Sequence, residues 1–150
     1  MVDRFERFSL AISEISRHWH KIASEELSKY ELKGPHATYL IAMYKYPDGI
    51  TVPQLCEVCG KDKSDASRML SILEKKGLIK KQVVDGSLYR GLLVLTDEGK
   101  SAAEHVSQRA SRAVELAGRD LTDETRETFY KALESITLNL RELSKEGIPQ

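Results

Sequence analysis

The stretch that decides the fold runs from Ile50 to Thr96 and reads ITVPQLCEVCGKDKSDASRMLSILEKKGLIKKQVVDGSLYRGLLVLT. Two short segments with apolar residues at helical spacing are joined by a turn that contains Gly60, and two runs of β-branched and aliphatic residues follow them. Two helices joined by a tight turn and followed by a hairpin form a winged helix-turn-helix. The stretch therefore predicts a mainly α-helical fold with a small β-hairpin wing.

Capping residues predict the bounds of the first of these two helices. Thr51 is suited to cap a helix that continues through Cys59 and ends at Gly60. We expect Leu55 and Val58 to face the core.

The second helix is expected to begin after Asp62 as its cap and to run to Lys76, with Gly77 as a left-handed C-cap. Its first half is polar, and small hydroxyls with one arginine allow a helix to approach base edges closely. The helix is therefore the candidate DNA-reading element. The residues predicted to be buried on its other face are Ala66, Met69, Leu70 and Leu73.

The wing is predicted from two runs, 78–84 and 88–95, joined by Asp85-Gly86, a pair suited to a two-residue hairpin turn. Polar side chains on both strands are placed to lie beside phosphates or in a minor groove. These side chains are Lys80, Lys81, Tyr89 and Arg90.

The charge of the chain is concentrated in the same region. The 150 residues balance 23 basic against 23 acidic side chains, but residues 61–90 alone carry a net charge of +4. A basic stretch on a neutral protein is typical of a polyanion-binding surface, although a solvated helix face with edge-strand lysines gives the same pattern.

Long helices flank the motif on both sides. We expect a winged-helix lobe over residues 34–96 within one domain of residues 1–150, with helices over about 3–31 and 97–146. Each outer helix carries an apolar stripe, and the first is longer than a small domain needs to cover its own core. These stripes predict a partner surface.

The motifs KSDASRMLSILEKKGLI at 63–79 and LTDEGK at 95–100 resemble those of the MarR family of bacterial and archaeal transcription regulators. The order of the helices is similar over essentially the full length. The resemblance implies a homodimer, with the outer helices interleaved around a two-fold axis and two winged-helix lobes that read a pseudo-palindromic operator in successive major grooves. It further implies a repressor that a small-molecule effector releases.

The resemblance also implies roles for individual residues. By motif position Ser64, Ser67 and Arg68 contact base edges or nearby phosphates, and Lys63 contacts a phosphate. Many members carry Asp-x-Arg near the wing tip, whereas Asp85 and Arg90 are five residues apart in this chain, so we expect Arg90 with Tyr89 to make the wing contact. The full predicted DNA-binding set is Thr51, Gln54, Lys63, Ser64, Asp65, Ser67, Arg68, Lys80, Lys81, Tyr89 and Arg90.

A cleft for small phenolic or lipophilic anions is a further implication of the resemblance. The residues expected to line it are Trp19, His36, Tyr39 and Met43.

Other functions are weighed against this interpretation. Cys56 and Cys59 form a C-x-x-C motif, which raises the hypothesis of a thiol-based redox-sensing regulator. A winged helix used only for protein contacts is another hypothesis. The scattered histidines do not predict a metal site, and no phosphate loop, nucleophile elbow or histidine and carboxylate cluster predicts an enzyme. We expect no cofactor. No apolar run reaches membrane-spanning length and no signal peptide precedes the first helix, so we expect a cytoplasmic protein.

Overall fold

The computed structural model describes the backbone of residues 3–84 and 87–150 and the side chains of residues 3–82 and 91–150. The predicted mainly helical fold with a hairpin wing is confirmed in these residues. The elements in chain order are α1 Arg4–Ser28, α2 Gly34–Tyr44, α3 Val52–Cys59, α4 Lys63–Lys75, β1 Ile79–Val84, β2 Ser87–Leu95, α5 Asp97–Ala117 and α6 Asp123–Glu146.

The helices of the central motif begin where their capping residues predict, and α4 ends at Lys75, one residue before its predicted end. The Thr51 hydroxyl accepts a hydrogen bond from the Gln54 amide at 3.3 Å, and α3 ends at Gly60 with a φ of 63°. The Asp62 carboxylate accepts from the Asp65 amide at 2.7 Å, and Gly77 is left-handed with a φ of 72°. Local side-chain chemistry therefore fixes both boundaries of the turn.

The core of the motif is built from the inward faces of α2, α3 and α4, with the end of α1, the base of the wing and the first half of α5. Met69 is partly buried at its edge. Residues that are fully or almost fully buried include Leu27, Tyr39, Leu40, Met43, Ile50, Leu55, Ala66, Leu73, Leu93, Ala102 and Ala103.

The expectation that Val58 faces this core is wrong, because its side chain is 49% exposed. In an α-helix, a side chain points about 60° away from the side chain three residues before it. Leu55 takes the buried direction of the eight-residue α3, so Val58 lies at the border of that face, on the wall of an open cavity.

The wing is an antiparallel pair in which Ile79 lies opposite Leu95. Ile50 also exchanges two backbone hydrogen bonds with Leu93, at 3.1 and 2.8 Å, so the segment before α3 extends the sheet by one bridge. The predicted turn at Asp85-Gly86 lies outside the described residues.

The base of the wing is tied to the start of α5. The Thr96 hydroxyl donates to the Gly77 carbonyl at 2.6 Å and accepts from the Gly99 amide at 3.1 Å. A Cβ added at Gly99 would lie 1.9 Å from the Leu78 carbonyl oxygen. Only glycine permits this approach, which fixes where α5 leaves the wing.

The chain forms two compact units, one ending at Ser111 and one beginning at Arg112. In the second unit Thr122 caps α6 by accepting from the Thr125 amide at 3.1 Å, and Arg126 donates to the Gly118 carbonyl at 2.7 Å. The apolar stripe of α6 is exposed along its length: Phe129, Leu133, Ile136, Leu140 and Leu143.

The outer face of α1 is apolar and exposed in the same way, with Phe5 at 70% and Ile15 at 65%. Neither stripe makes a membrane helix. Across the described residues, the helices all lack a segment with the length and hydropathy needed to cross a bilayer.

Candidate nucleic-acid interface

The first half of α4 presents four exposed polar side chains, those of Lys63, Ser64, Ser67 and Arg68. The opposite face of the helix holds Ala66, Leu70 and Leu73 in the core. The structure therefore brings these four predicted contact residues together on one surface, at the positively polarised end of a capped helix. That end favours anions such as phosphate groups.

Asp65 differs from its neighbours because its carboxylate is engaged inside the protein. Its Oδ2 accepts a hydrogen bond of 2.6 Å from the Tyr39 hydroxyl, and its Oδ1 lies 3.6 Å from the Arg68 guanidinium. The Asp65 side chain is 27% exposed, whereas that of Arg68 is 71% exposed. The sequence interpretation assigned Tyr39 and Asp65 to different sites, and the structure joins them.

The Tyr39 phenol is held as a hydrogen-bond donor. Burial, followed by the hydrogen bond to Asp65 and the charge of that carboxylate, raises the pKa of Tyr39 well above its ordinary value. The hydroxyl therefore keeps its proton at any physiological pH. A buried tyrosine usually needs such a partner for its hydroxyl, which is the signal that sequence reasoning had available and did not use.

Thr51 and Gln54 form a reciprocal capping box at the start of α3. The Gln54 side chain accepts from the Thr51 amide at 3.1 Å while the Thr51 hydroxyl accepts from the Gln54 amide. Both side chains are thus occupied within the protein, although Gln54 is exposed. Their contact with DNA stays a prediction.

The wing contributes two exposed basic side chains on β1, those of Lys80 and Lys81. The side chains of Tyr89 and Arg90, predicted to make the wing contact, lie outside the described residues.

A second candidate site is a cavity of about 530 Å³ bounded by α1, α2, α3 and α5. Its walls are mainly apolar, and charged residues line it from α1, from α5 and from the turns after α2 and α3. Of the four residues predicted to line an effector cleft, Trp19 borders this cavity. The charged residues are Glu26, Lys45, Lys61 and Arg109.

The other three predicted effector residues lie in the core rather than on the cavity wall. Tyr39 and Met43 are buried on the inward face of α2. His36 is 5% exposed, and its Nδ1 accepts a hydrogen bond of 2.9 Å from the Lys33 amide. Burial first, then the charges of Lys76 and Lys33, lower the pKa of His36.

Cys56 and Cys59 are free thiols and half-buried. Cys59 lies on the cavity wall, where burial and then the proximity of Cys56 raise the pKa of its thiol. A raised thiol pKa reduces the thiolate fraction that oxidants attack, so this environment weighs against a redox sensor. In the part of the chain that the structure describes, His, Cys, Asp and Glu side chains form no cluster suited to a metal ion.

The capped helix pair, the exposed polar half of α4 and the antiparallel wing define a winged helix-turn-helix protein. Residues 30–87 match the family model of the MarR family. This segment of the chain is therefore similar to the MarR family, as the resemblance of its motifs indicates. No curated protein sequence matches the chain.

Solved structures of the family have the same fold. A putative MarR-family regulator from Listeria monocytogenes in complex with a 26-mer DNA is 23% identical, covers 100% of this chain and 99% of its own, and superposes with a TM-score of 0.79. A MarR regulator from Methanosarcina mazei is 22% identical over 95% of this chain and 94% of its own, with a TM-score of 0.78. MepR from S. aureus bound to DNA is 20% identical over 88% of this chain and 97% of its own, with a TM-score of 0.78. Identities of this size establish the fold alone.

Proposed function

We propose that this protein is a sequence-specific DNA-binding transcription regulator, a dimeric repressor that two copies of α4 hold on a pseudo-palindromic operator. The observation that carries the proposal is the exposed set of Lys63, Ser64, Ser67 and Arg68 on a helix whose other face is buried and whose start is capped. Hydroxyls and an arginine at the start of a helix suit base edges and phosphates. The Listeria and S. aureus relatives, which were solved with DNA, support the same use of the fold.

The charge distribution supports a DNA surface rather than a surface for neutral partners. Of the +4 charge of residues 61–90, +3 falls on α4 and β1, where Lys63, Lys80 and Lys81 are exposed. Each phosphate that such side chains neutralise releases counterions and steepens the salt dependence of binding. The proposal places the protein in the cytoplasm, with the DNA.

The dimer is proposed from the exposed apolar stripes of α1 and α6. A pair of copies related by a two-fold axis presents the same stripe twice, so that one contact satisfies both chains. Contiguous exposed apolar surface on a regulator of this size marks an interaction site.

The cavity is the proposed effector site. Its volume of about 530 Å³ suits a small organic molecule, and its apolar walls with Lys45 and Lys61 suit a phenolic or lipophilic anion. It is bounded by α1 and α5 as well as by two helices of the DNA-binding motif. A ligand there therefore contacts both sets of helices and is placed to bias their arrangement, which is how we propose that it releases the operator.

The test is binding to a labelled duplex from the region upstream of the protein's own gene, across a salt series. Arg68→Ala is expected to weaken specific binding by about 1 to 3 kcal/mol, the cost of one lost base contact, and to leave folding intact. Arg119→Ala is the matched control, since the two arginines are equally exposed at 71%.

The outcomes separate the alternatives. Unchanged operator affinity in Arg68→Ala would refute the assignment of α4 as the reading helix, and wild-type protein without salt-dependent DNA binding would favour a protein-interaction module. A Cys56→Ser/Cys59→Ser variant should bind and release the operator as wild type does. A loss of oxidant response in that variant would instead support redox sensing.

A further inference from the structure

We propose that Tyr39, which is buried and out of reach of DNA, is a positioning residue for DNA reading, because its hydroxyl holds the Asp65 carboxylate that lies beside Arg68. This inference rests on the proposed function of α4. It assigns Asp65 to the support of the reading face rather than to a DNA contact.

The contact is long-range in sequence and short in space. Tyr39 and Asp65 are 26 residues apart, and their oxygens are 2.6 Å apart. Tyr39 lies on the buried face of α2 and is fully enclosed, so the packing of the core holds its hydroxyl in place. A hydrogen bond to an ionised acceptor is shorter and stronger than one between neutral groups.

The other contacts of α4 do not fix its first turns in the same way. Ala66, Leu70 and Leu73 pack against the core, and two of these three lie in the second half of the helix. Apolar packing is non-directional, whereas a hydrogen bond fixes an angle as well as a distance. The bond from Tyr39 therefore sets the rotation of α4 about its axis at the end that carries the polar side chains.

Asp65 in turn restrains the position of the Arg68 side chain. The carboxylate has one oxygen on Tyr39 and the other 3.6 Å from the guanidinium, one turn further along the helix. The Asp65 amide is itself bonded to the Asp62 cap, so backbone and side chain are both held. A negative charge opposes DNA phosphates, and an acidic residue on this surface is explained by the support that it gives.

The experiment compares operator and non-specific duplex affinities for wild type, Tyr39→Phe, Arg68→Ala and the double variant. Tyr39→Phe removes only the hydroxyl, and we expect a five- to tenfold loss of operator affinity with non-specific affinity and salt slope unchanged. In the Arg68→Ala background the same change should cost less than twofold, because Tyr39 acts through Arg68. Tyr44→Phe, an exposed tyrosine on the same helix, is the control and should bind as wild type.

Amide hydrogen exchange of residues 65–68, whose amides are hydrogen-bonded in α4, is measured in parallel without DNA. Faster exchange in Tyr39→Phe, and wild-type exchange in Tyr44→Phe, would show the loosened first turns of α4 directly. A general loss of thermal stability, with operator and non-specific affinity falling together, would show a structural role alone and overturn the inference.

The remaining outcomes separate this inference from the proposed function. Wild-type operator affinity in Tyr39→Phe, or losses that add in the double variant, would overturn the inference while the proposed function stands. If wild type prefers no duplex over another, the proposed function fails and the DNA part of the inference fails with it. Unchanged exchange in Tyr39→Phe would then also remove the positioning role.

Discussion

Helices α4 and α6 are both amphipathic and both begin at a side-chain cap, but they differ in what covers their apolar faces. In α4 three residues are buried within the chain, Ala66, Leu70 and Leu73. In α6, a helix of 24 residues that the structure describes completely, not one residue is buried. Capping and periodicity thus make a helix, while its burial depends on surfaces elsewhere.

The difference indicates two kinds of stability in one molecule. The core behind α4 is complete in a single chain, so its packing is expected to be independent of protein concentration. The stripe of α6 is exposed, and we propose that a second copy of the chain covers it. Stability in that part is then expected to rise with concentration.

The largest expected effect is on association through α6. Leu133→Glu/Leu140→Glu places charges in the proposed interface, and an unpaired buried charge costs about 3 to 5 kcal/mol. We expect monomers by mass in solution at concentrations where wild type is a dimer. Leu138→Glu is the control, because it lies off the stripe and is 57% exposed. A wild-type monomer, or a dimer that persists with both charges, would contradict the proposal that a second copy covers α6.

The next effect is on the core behind α4. Leu73 is fully buried, and Leu73→Ala is expected to lower the free energy of unfolding by about 2 to 5 kcal/mol through lost burial and a cavity. Leu138→Ala in α6 should change it by less than about 0.5 kcal/mol, as for other exposed positions. Urea unfolding measures both. Equal losses would mean that the two helices are covered alike.

Removal of the caps tests what the helices share. Asp62→Ala and Thr122→Ala each remove an acceptor for a first-turn amide and should each cost about 0.5 to 2 kcal/mol in urea unfolding. Only Asp62→Ala should also weaken operator binding, because that cap belongs to the proposed reading helix. Weaker binding in both variants would show that α6 influences DNA reading as well.

The smallest effect distinguishes a buried histidine from an exposed one. Because the pKa of His36 is lowered in the folded state, the unfolded chain binds its proton first, and stability falls as pH drops below about 6.5. Protonation also converts Nδ1 from an acceptor into a donor, so the bond from the Lys33 amide is lost. His36→Gln should flatten this part of the pH profile of thermal unfolding. His18→Gln, at a side chain 60% exposed, is the matched control for the loss of a surface histidine.

Much of the fold follows from local rules in the sequence. The caps Thr51, Asp62 and Thr122 mark helix starts, and Gly60 and Gly77 mark helix ends, because each acts on amides and carbonyls a few residues away. The exposed polar half of α4 was predictable for the same reason. Spacing along one helix decides which side chains share a face.

Contacts that depend on three-dimensional packing were not predictable in this way. Periodicity alone placed Val58 in the core, although it lies at the border of the buried face of α3. The sequence pattern at Tyr39 was compatible with a position in the core and with one on a pocket wall. Its hydrogen bond to Asp65 joins α2 and α4, two elements that no sequence motif relates. The wing contact of Tyr89 and Arg90 stays a prediction.

The hydroxyl of Thr96 also has a kinetic consequence. It serves as donor to Gly77 and acceptor for Gly99, so a single side chain closes both the base of the wing and the first turn of α5. The Thr96 amide, bonded to the Leu78 carbonyl, belongs to the same junction. Opening the base of the wing or the first turn of α5 breaks a hydrogen bond of Thr96, so we expect the Thr96 and Gly99 amides to exchange through one opening reaction.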